Sequence, residues 1–166
     1  MRTGGYGAEN APKEVDSKNI FNRLDQVLST FKFSDALSQN QTVVKVYFAP
    51  EGSQQTQCND VAAVERTVVK TPKIGAAALE ELLKGPTAEE KAKGYTTIIP
   101  AGSKLNTLNI VNGVAHADFN ALTESGGGSC GMGVRTAQIR QTLLQFPTVK
   151  SVVLSIDGRT QNIFQP

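Results

Sequence analysis

One histidine and two cysteines are all that this chain of 166 residues offers as the nitrogen and thiolate ligands of a zinc site. With no second histidine and no C-x-x-C pair, no zinc spacing can be assembled, and we expect neither a metal nor a cofactor. Long apolar runs are also missing. None approaches the ~20 residues that span a bilayer, so direct membrane insertion of this stretch is excluded. Residues 1–19 contain no apolar segment of the kind a secretory signal needs. Charge is scarce, with 19% of residues Asp, Glu, Lys or Arg, against about 25% in an average soluble domain. The net charge of +2 is spread thinly. Without a clustered basic face or interleaved aromatics, a nucleic-acid partner is not expected. The glycines match neither the dinucleotide pattern nor the Walker pattern. We find no internal repeat.

What is present is a sequence of well-punctuated elements. Residues 1–15 are glycine-rich and polar and read as a disordered tail. Over Asp16–Phe31, Ile20, Leu24, Val27, Leu28 and Phe31 recur at helical spacing, which predicts an amphipathic helix. It is read as packing on the domain or on a copy of itself, or as docking a partner. A linker over 34–41 completes an N-terminal region, residues 1–41, that precedes a domain over 42–166. Thr42–Phe48 is apolar on both alternating sets and predicts an interior strand with both faces covered. Val61–Val69 is a second strand. Between Lys70 and Pro100 the chain reads as a helix with Thr71 as N-cap, closed by Gly85-Pro86. A short helix follows with a Thr87/Glu90 capping box, then an extended return.

Asn112-Gly113 predicts a two-residue hairpin turn within Leu105–Phe119, since both residues accept positive φ. That register pairs Val111 with Val114, Ile110 with Ala115 and Leu108 with Ala117. It puts Leu108, Ile110, Ala115, Ala117 and Phe119 on one face, expected to be the core face, and His116 and Asp118 on the other. After a loop over 120–133, a second main helix is expected from Gly133 or Val134 to Gln145. The pattern ends in a strand over 148–156, an Asp157-Gly158 turn and a returning strand over 159–164. The order predicts an α+β fold, a two-layer α/β sandwich. Its sheet is mixed but mostly antiparallel and carries the two main helices on one face, with the N-terminal amphipathic helix in addition.

Three groups of residues invite a functional reading. Gly126, Gly127, Gly128 and Ser129 precede a helix with Arg135 just inside it, a setting in which free N–H groups bind anions; a flexible loop is the plainer alternative. Cys130 near a helix N-terminus, His116 and Asp118 supply on paper the parts of a thiol hydrolase. The hairpin register opposes this, because it turns His116 away from the side that Cys130 enters. Cys58 and Cys130 form an even pair, read either as a disulfide or as two separate thiols. The acidic pairs Glu80-Glu81 and Glu89-Glu90 read as solvated helix surface. The loops at Gly85-Pro86 and Pro100-Ala101-Gly102 are further binding candidates, already explained by turn geometry.

The string AALEELLKGPTAEEKAKGYTTIIPAGSKL resembles the signature of the GerMN domain, named after a sporulation and germination protein. NGVAHADFN, the glycine loop and RTAQIRQTLLQFPTVKSVVLSIDG follow in that family's order, so the resemblance runs from about Val43 to Phe164. It implies a compact α+β module without enzymatic activity, acting as an interaction or scaffold component of envelope complexes, with protein partners and a link to sporulation or germination. It also implies an extracytoplasmic setting, in which this chain is a soluble fragment lacking its targeting segment and the full-length protein is membrane-tethered or a lipoprotein. The alternative is binding of a small ligand or cell-wall glycan through the glycine loop; no specific small molecule is indicated.

Overall fold

A computed structural model describes Met1, residues 40–52 and residues 58–165. The tail, the amphipathic helix and most of the linker expected before Gln41 lie outside the described residues. The unit that begins at Asn40 is built in the order β1 (Gln41–Pro50), β2 (Ala62–Val69), α1 (Ile74–Leu83), α2 (Ala88–Ala92), β3 (Tyr95–Thr96), β4 (Leu105–Val111), β5 (Val114–Phe119), a 3-10 turn (Ala121–Glu124), α3 (Gly128–Leu144) and β6 (Ser151–Ile156).

The α+β class expected from the sequence is what forms, but the strands are divided between two three-stranded sheets, β2-β1-β3 and β4-β5-β6. β1 is antiparallel to both neighbours, β4 to β5, while β5 and β6 run parallel across the α3 connection. Both main helices pack on β1 and on each other; α1 also meets β4 and α3 meets β6. The main core is therefore shared. Phe48 and Val46 of β1, Leu79 and Leu82 of α1, Ile139 and Leu143 of α3, and Phe119, Leu154 and Ile156 of the second sheet are all buried in it. Each such side chain contributes about 1.5–3 kcal/mol on leaving water.

Local chemistry explains most element ends. Thr87 and Glu90 form both halves of the capping box that starts α2. Gly85 and Gly94 take positive φ where their helices stop. Asn112 and Gly113, at φ 52 and 83, make the hairpin turn, and the observed register of β4 on β5 is the expected one from Val111↔Val114 through Leu108↔Ala117. Asp157 and Gly158 also take positive φ.

Several expectations are corrected. β1 is covered on one face only: Val44, Val46 and Phe48 are buried, whereas Val43 and Lys45 face solvent, because both helices lie on the same side. Thr71 does not cap α1. The helix begins at Ile74 after Lys73, and the Thr71 hydroxyl accepts from the Lys73 N–H at 3.2 Å, a local turn that delays helix entry. Ile110 lies on the core side of β4 yet is 42% exposed, with no element among the described residues covering the hairpin tip. The second main helix starts at Gly128, five residues before Gly133. No closing strand forms over 159–164. Ile156 and Arg159 make one isolated bridge; beyond it Asn162 and Phe164 have positive φ, incompatible with extended pairing, and Ile163 and Phe164 turn onto the core.

Candidate functional site

Gly126, Gly127 and Gly128 form three consecutive left-handed residues, at φ 63, 108 and 58, which side-chain-bearing residues would adopt only under strain. They deliver the chain into α3. Arg135, two turns along, is 1% exposed and folds back under them. Its Nε and Nη2 donate to the Ile98 carbonyl at 3.1 and 3.0 Å, and Nη2 also donates to the carbonyls of Ser125 and Gly126, both at 3.1 Å. Nη1 points to the Met132 sulfur. Burial pushes the Arg135 pKa below the usual guanidinium value. A Cβ on Gly127 would stand 3.1 Å from Nη2, so the glycine lets the loop close over the cation. Arg135 is thus committed to carbonyl oxygens and does not reach the surface to meet an anion, contrary to the role considered for it. Gly126, Gly127, Gly128 and Ser129 themselves are exposed.

Cys58 and Cys130 are joined in a disulfide, with their Cα atoms 4.7 Å apart. Cys130 sits in the first turn of α3, and His116 faces solvent from β5. With its sulfur bonded, Cys130 is no nucleophile, and the thiol-hydrolase reading is set aside. The crosslink presses the turn at Cys58 onto the helix: a Cβ on Gly133 would meet the Cys58 carbonyl oxygen at 2.7 Å.

Asp118 anchors a polar cluster at the far end of β5. Its Oδ1 accepts from the Ser155 hydroxyl at 2.6 Å and the Gly158 N–H at 2.8 Å, and Oδ2 accepts from Asn106 at 2.9 Å. Partial burial raises its pKa, but those three donors outweigh it and hold the carboxyl below the usual range. Glu90 is likewise held low, chiefly by the hydrogen bonds from Arg66, against the opposing effect of burial. Arg66 grips both of its oxygens and lies 5.7 Å over the Phe48 ring. Glu90 is buried, where a solvated face was expected. Among the described residues no three His, Cys, Asp or Glu side chains gather as a metal site would require.

One device went unread in the sequence. Gln138, Thr142 and Gln145 form a polar stripe along α3 that bonds the backbone of β1. Gln138 donates to the Tyr47 carbonyl, the Thr142 hydroxyl accepts from the Tyr47 N–H, and the Gln145 amide both accepts from the Lys45 N–H and donates to its carbonyl. These side chains stand in for a neighbouring strand along that edge of β1. The signal was there as polar residues at i, i+4 and i+7 beside the buried Ile139 and Leu143.

Two open grooves flank this framework. One, about 540 Å³, follows the outer side of α3 past Asn59, Ser129, Arg140, Leu144 and Phe164. The other, about 640 Å³, lies between the first turn of α1 and the outer edge of β4.

A family model described as sporulation and spore germination, Germane, matches residues 45–162. The chain belongs to that family. Its GerMN fold is shared with the first GerMN domain of the sporulation protein GerM from Bacillus subtilis, at TM-score 0.58 and 23% identity, over 75% of this chain and 92% of that one. The tandem GerMN domains of the same protein match at TM-score 0.54 and 24% identity, over 73% of this chain and 40% of the tandem chain. A Clostridium perfringens protein assigned as a lipoprotein gives TM-score 0.50 and 16% identity, over 76% of this chain and 81% of that one. No curated protein matches the chain in sequence. At these identities the likeness to solved structures speaks for the fold. No helix among the described residues of this GerMN chain is long and apolar enough to cross a membrane.

Proposed function

We propose that this GerMN domain is a non-catalytic contact module of a bacterial envelope complex, holding protein partners outside the cytoplasm. The observation that carries this reading is where polarity has been spent. The buried charges Arg135 and Glu90 are tied to internal carbonyls and to Arg66, while apolar Ile110 and Val111, 42% and 56% exposed, project at a hairpin tip. The Cys58–Cys130 bond suits an oxidising compartment. The sporulation protein and the assigned lipoprotein among its structural relatives support an envelope setting with a lipid or membrane tether.

The second reading is a small ligand or cell-wall glycan seated in the groove along α3, favoured by the polar Asn59, Ser129 and Arg140 beside the apolar Leu144 and Phe164. The two separate in one pair of assays on the full chain. A contact module retains a specific envelope polypeptide through high-dilution co-purification, and its melting temperature is indifferent to muropeptides and phosphorylated metabolites. A saturable rise in melting temperature with one of those compounds, without a retained polypeptide, would establish the ligand reading instead.

A further inference from the structure

Sheet edges are normally blunted by charge, proline or a covering element, because their unpaired backbone groups template further strands. In this fold the Lys45–Tyr47 edge of β1 is treated that way, taken up by Gln138, Thr142 and Gln145, and β6 is covered at its last residue, where Arg159 bonds Ile156 in both directions. β4 is not. Its sequence, LNTLNIV, carries no charge and no proline, and its one irregularity lies at the Leu105/Thr107 end. Because the turn has two residues, Val111, Asn109 and Thr107 exchange hydrogen bonds with β5, which leaves the N–H and C=O of Leu108 and Ile110 pointing to the outer edge. β4 pairs with β5 alone among the described strands.

A groove runs along that edge. Its floor is apolar, formed by Leu108, Ile110, Ile74 and Phe146, and its other wall is the first turn of α1. The end of that wall nearest the helix start is electropositive, while Glu80, further along α1, lines the groove with the opposite charge. Lys73 stands at the N-cap, the helix has no side-chain cap and no acidic residue in its first turn, and the positive end of a helix favours negative charge.

We propose that this groove takes an extended peptide of a partner protein, added to β4 as a fourth strand, with an acidic group of that peptide placed at the N-terminus of α1. Backbone pairing with Leu108 and Ile110 supplies sequence-tolerant affinity, and alternate side chains of the peptide enter the apolar floor and cover Ile110. The acidic end fixes the register. This inference rests on the contact-module reading and names the surface and the partner chemistry for it.

The test uses the full chain, oxidised, panned against a random decapeptide phage library, followed by fluorescence anisotropy of the recovered peptides. We expect recovered peptides that alternate apolar and polar residues and carry Asp, Glu or a free carboxylate at one end. Ile110→Lys, at a solvent-facing side chain, weakens them by at least about tenfold and Lys73→Glu by about three- to tenfold, within the range of interface substitutions. Both variants stay folded at the assay temperature, and Lys73→Glu does not lower the melting temperature, since an acidic residue suits the positive end of a helix. A second readout is independent of substitution: amide exchange at Leu108 and Ile110 slows on adding a recovered peptide. Peptides that bind Ile110→Lys as well as wild type, with no slowing at those amides, would overturn the groove assignment while leaving the contact-module reading standing. So would concentration-dependent self-association abolished by Ile110→Lys in the absence of peptide, which would give the edge to a second copy of the chain. Recovery of no peptide at all would also overturn the groove, and co-purification of an envelope polypeptide would still decide the broader reading separately.

Discussion

The carbonyl oxygen of Cys58 lies 2.7 Å from the point where a Cβ on Gly133 would stand. A helical glycine is normally a weakness worth about 1 kcal/mol against alanine, yet here it admits the crosslinked turn. We expect Gly133→Ala to destabilise by about 1–3 kcal/mol, since backbone must move to relieve the clash. Gly131→Ala, whose Cβ would meet only the Ile98 methyl at 3.5 Å, should instead stabilise by about 0.5–1 kcal/mol. Urea denaturation of the two oxidised variants checks the opposite signs.

The disulfide itself closes a separation of 72 residues. Replacing both Cys58 and Cys130 with serine should lower the unfolding free energy by about 4 kcal/mol in the chain-entropy picture. Reductant should reproduce the loss in wild type and leave the double variant unchanged, as seen in thermal melts with and without dithiothreitol.

Arg135→Lys should be far from conservative. Lysine cannot reproduce the planar fork that serves the Ile98, Ser125 and Gly126 carbonyls together. Leaving buried acceptors unpaired costs about 1–3 kcal/mol each, so a loss of about 2–4 kcal/mol is expected. Hydrogen exchange should locate it in residues 125–132 and at Ile98.

Acid should weaken the fold through Glu90 and Asp118. Hydrogen bonds from Arg66 hold the first carboxyl low, and for Asp118 the Ser155, Gly158 and Asn106 donors prevail over burial. On falling pH the unfolded chain takes up these protons first, so the stabilisation is complete above the ordinary carboxylate pKa of about 4. It is lost as pH drops through the lower folded values. Asp118→Asn should therefore be less stable than wild type at pH 7, with the difference shrinking below about pH 4; denaturation midpoints at a series of pH values measure this.

How far the sequence was legible depended on whether one short stretch decided the outcome. The Thr87/Glu90 capping box, the Asn112-Gly113 turn and the glycines at 85 and 94 are local signals, and each forms as read. The division into two sheets was not local. Along one edge of β1 the place of a strand is taken by Gln138, Thr142 and Gln145, nearly a hundred residues away in sequence, and their spacing along α3 marks a polar stripe without naming its partner. The start of α3 at Gly128 likewise rests on distant partners: propensity argues against helix over the glycines, and the Cys58 crosslink with the Arg135 contacts holds it there. Of the candidate residues, Gly126, Gly127, Gly128 and Ser129 lie exposed, while Arg135 is drawn inward by carbonyls on two separate segments.

The most direct test is light-driven crosslinking in intact cells from a photoreactive residue placed at Val111, beside the open edge of β4, with Gly52 as the control position. If the domain works by contact, Val111 yields one discrete heavier adduct containing a second polypeptide and Gly52 yields none. If Val111, Val43 and Leu144, all solvent-exposed apolar positions, each give no adduct in cells where the protein is functional, the contact role is contradicted.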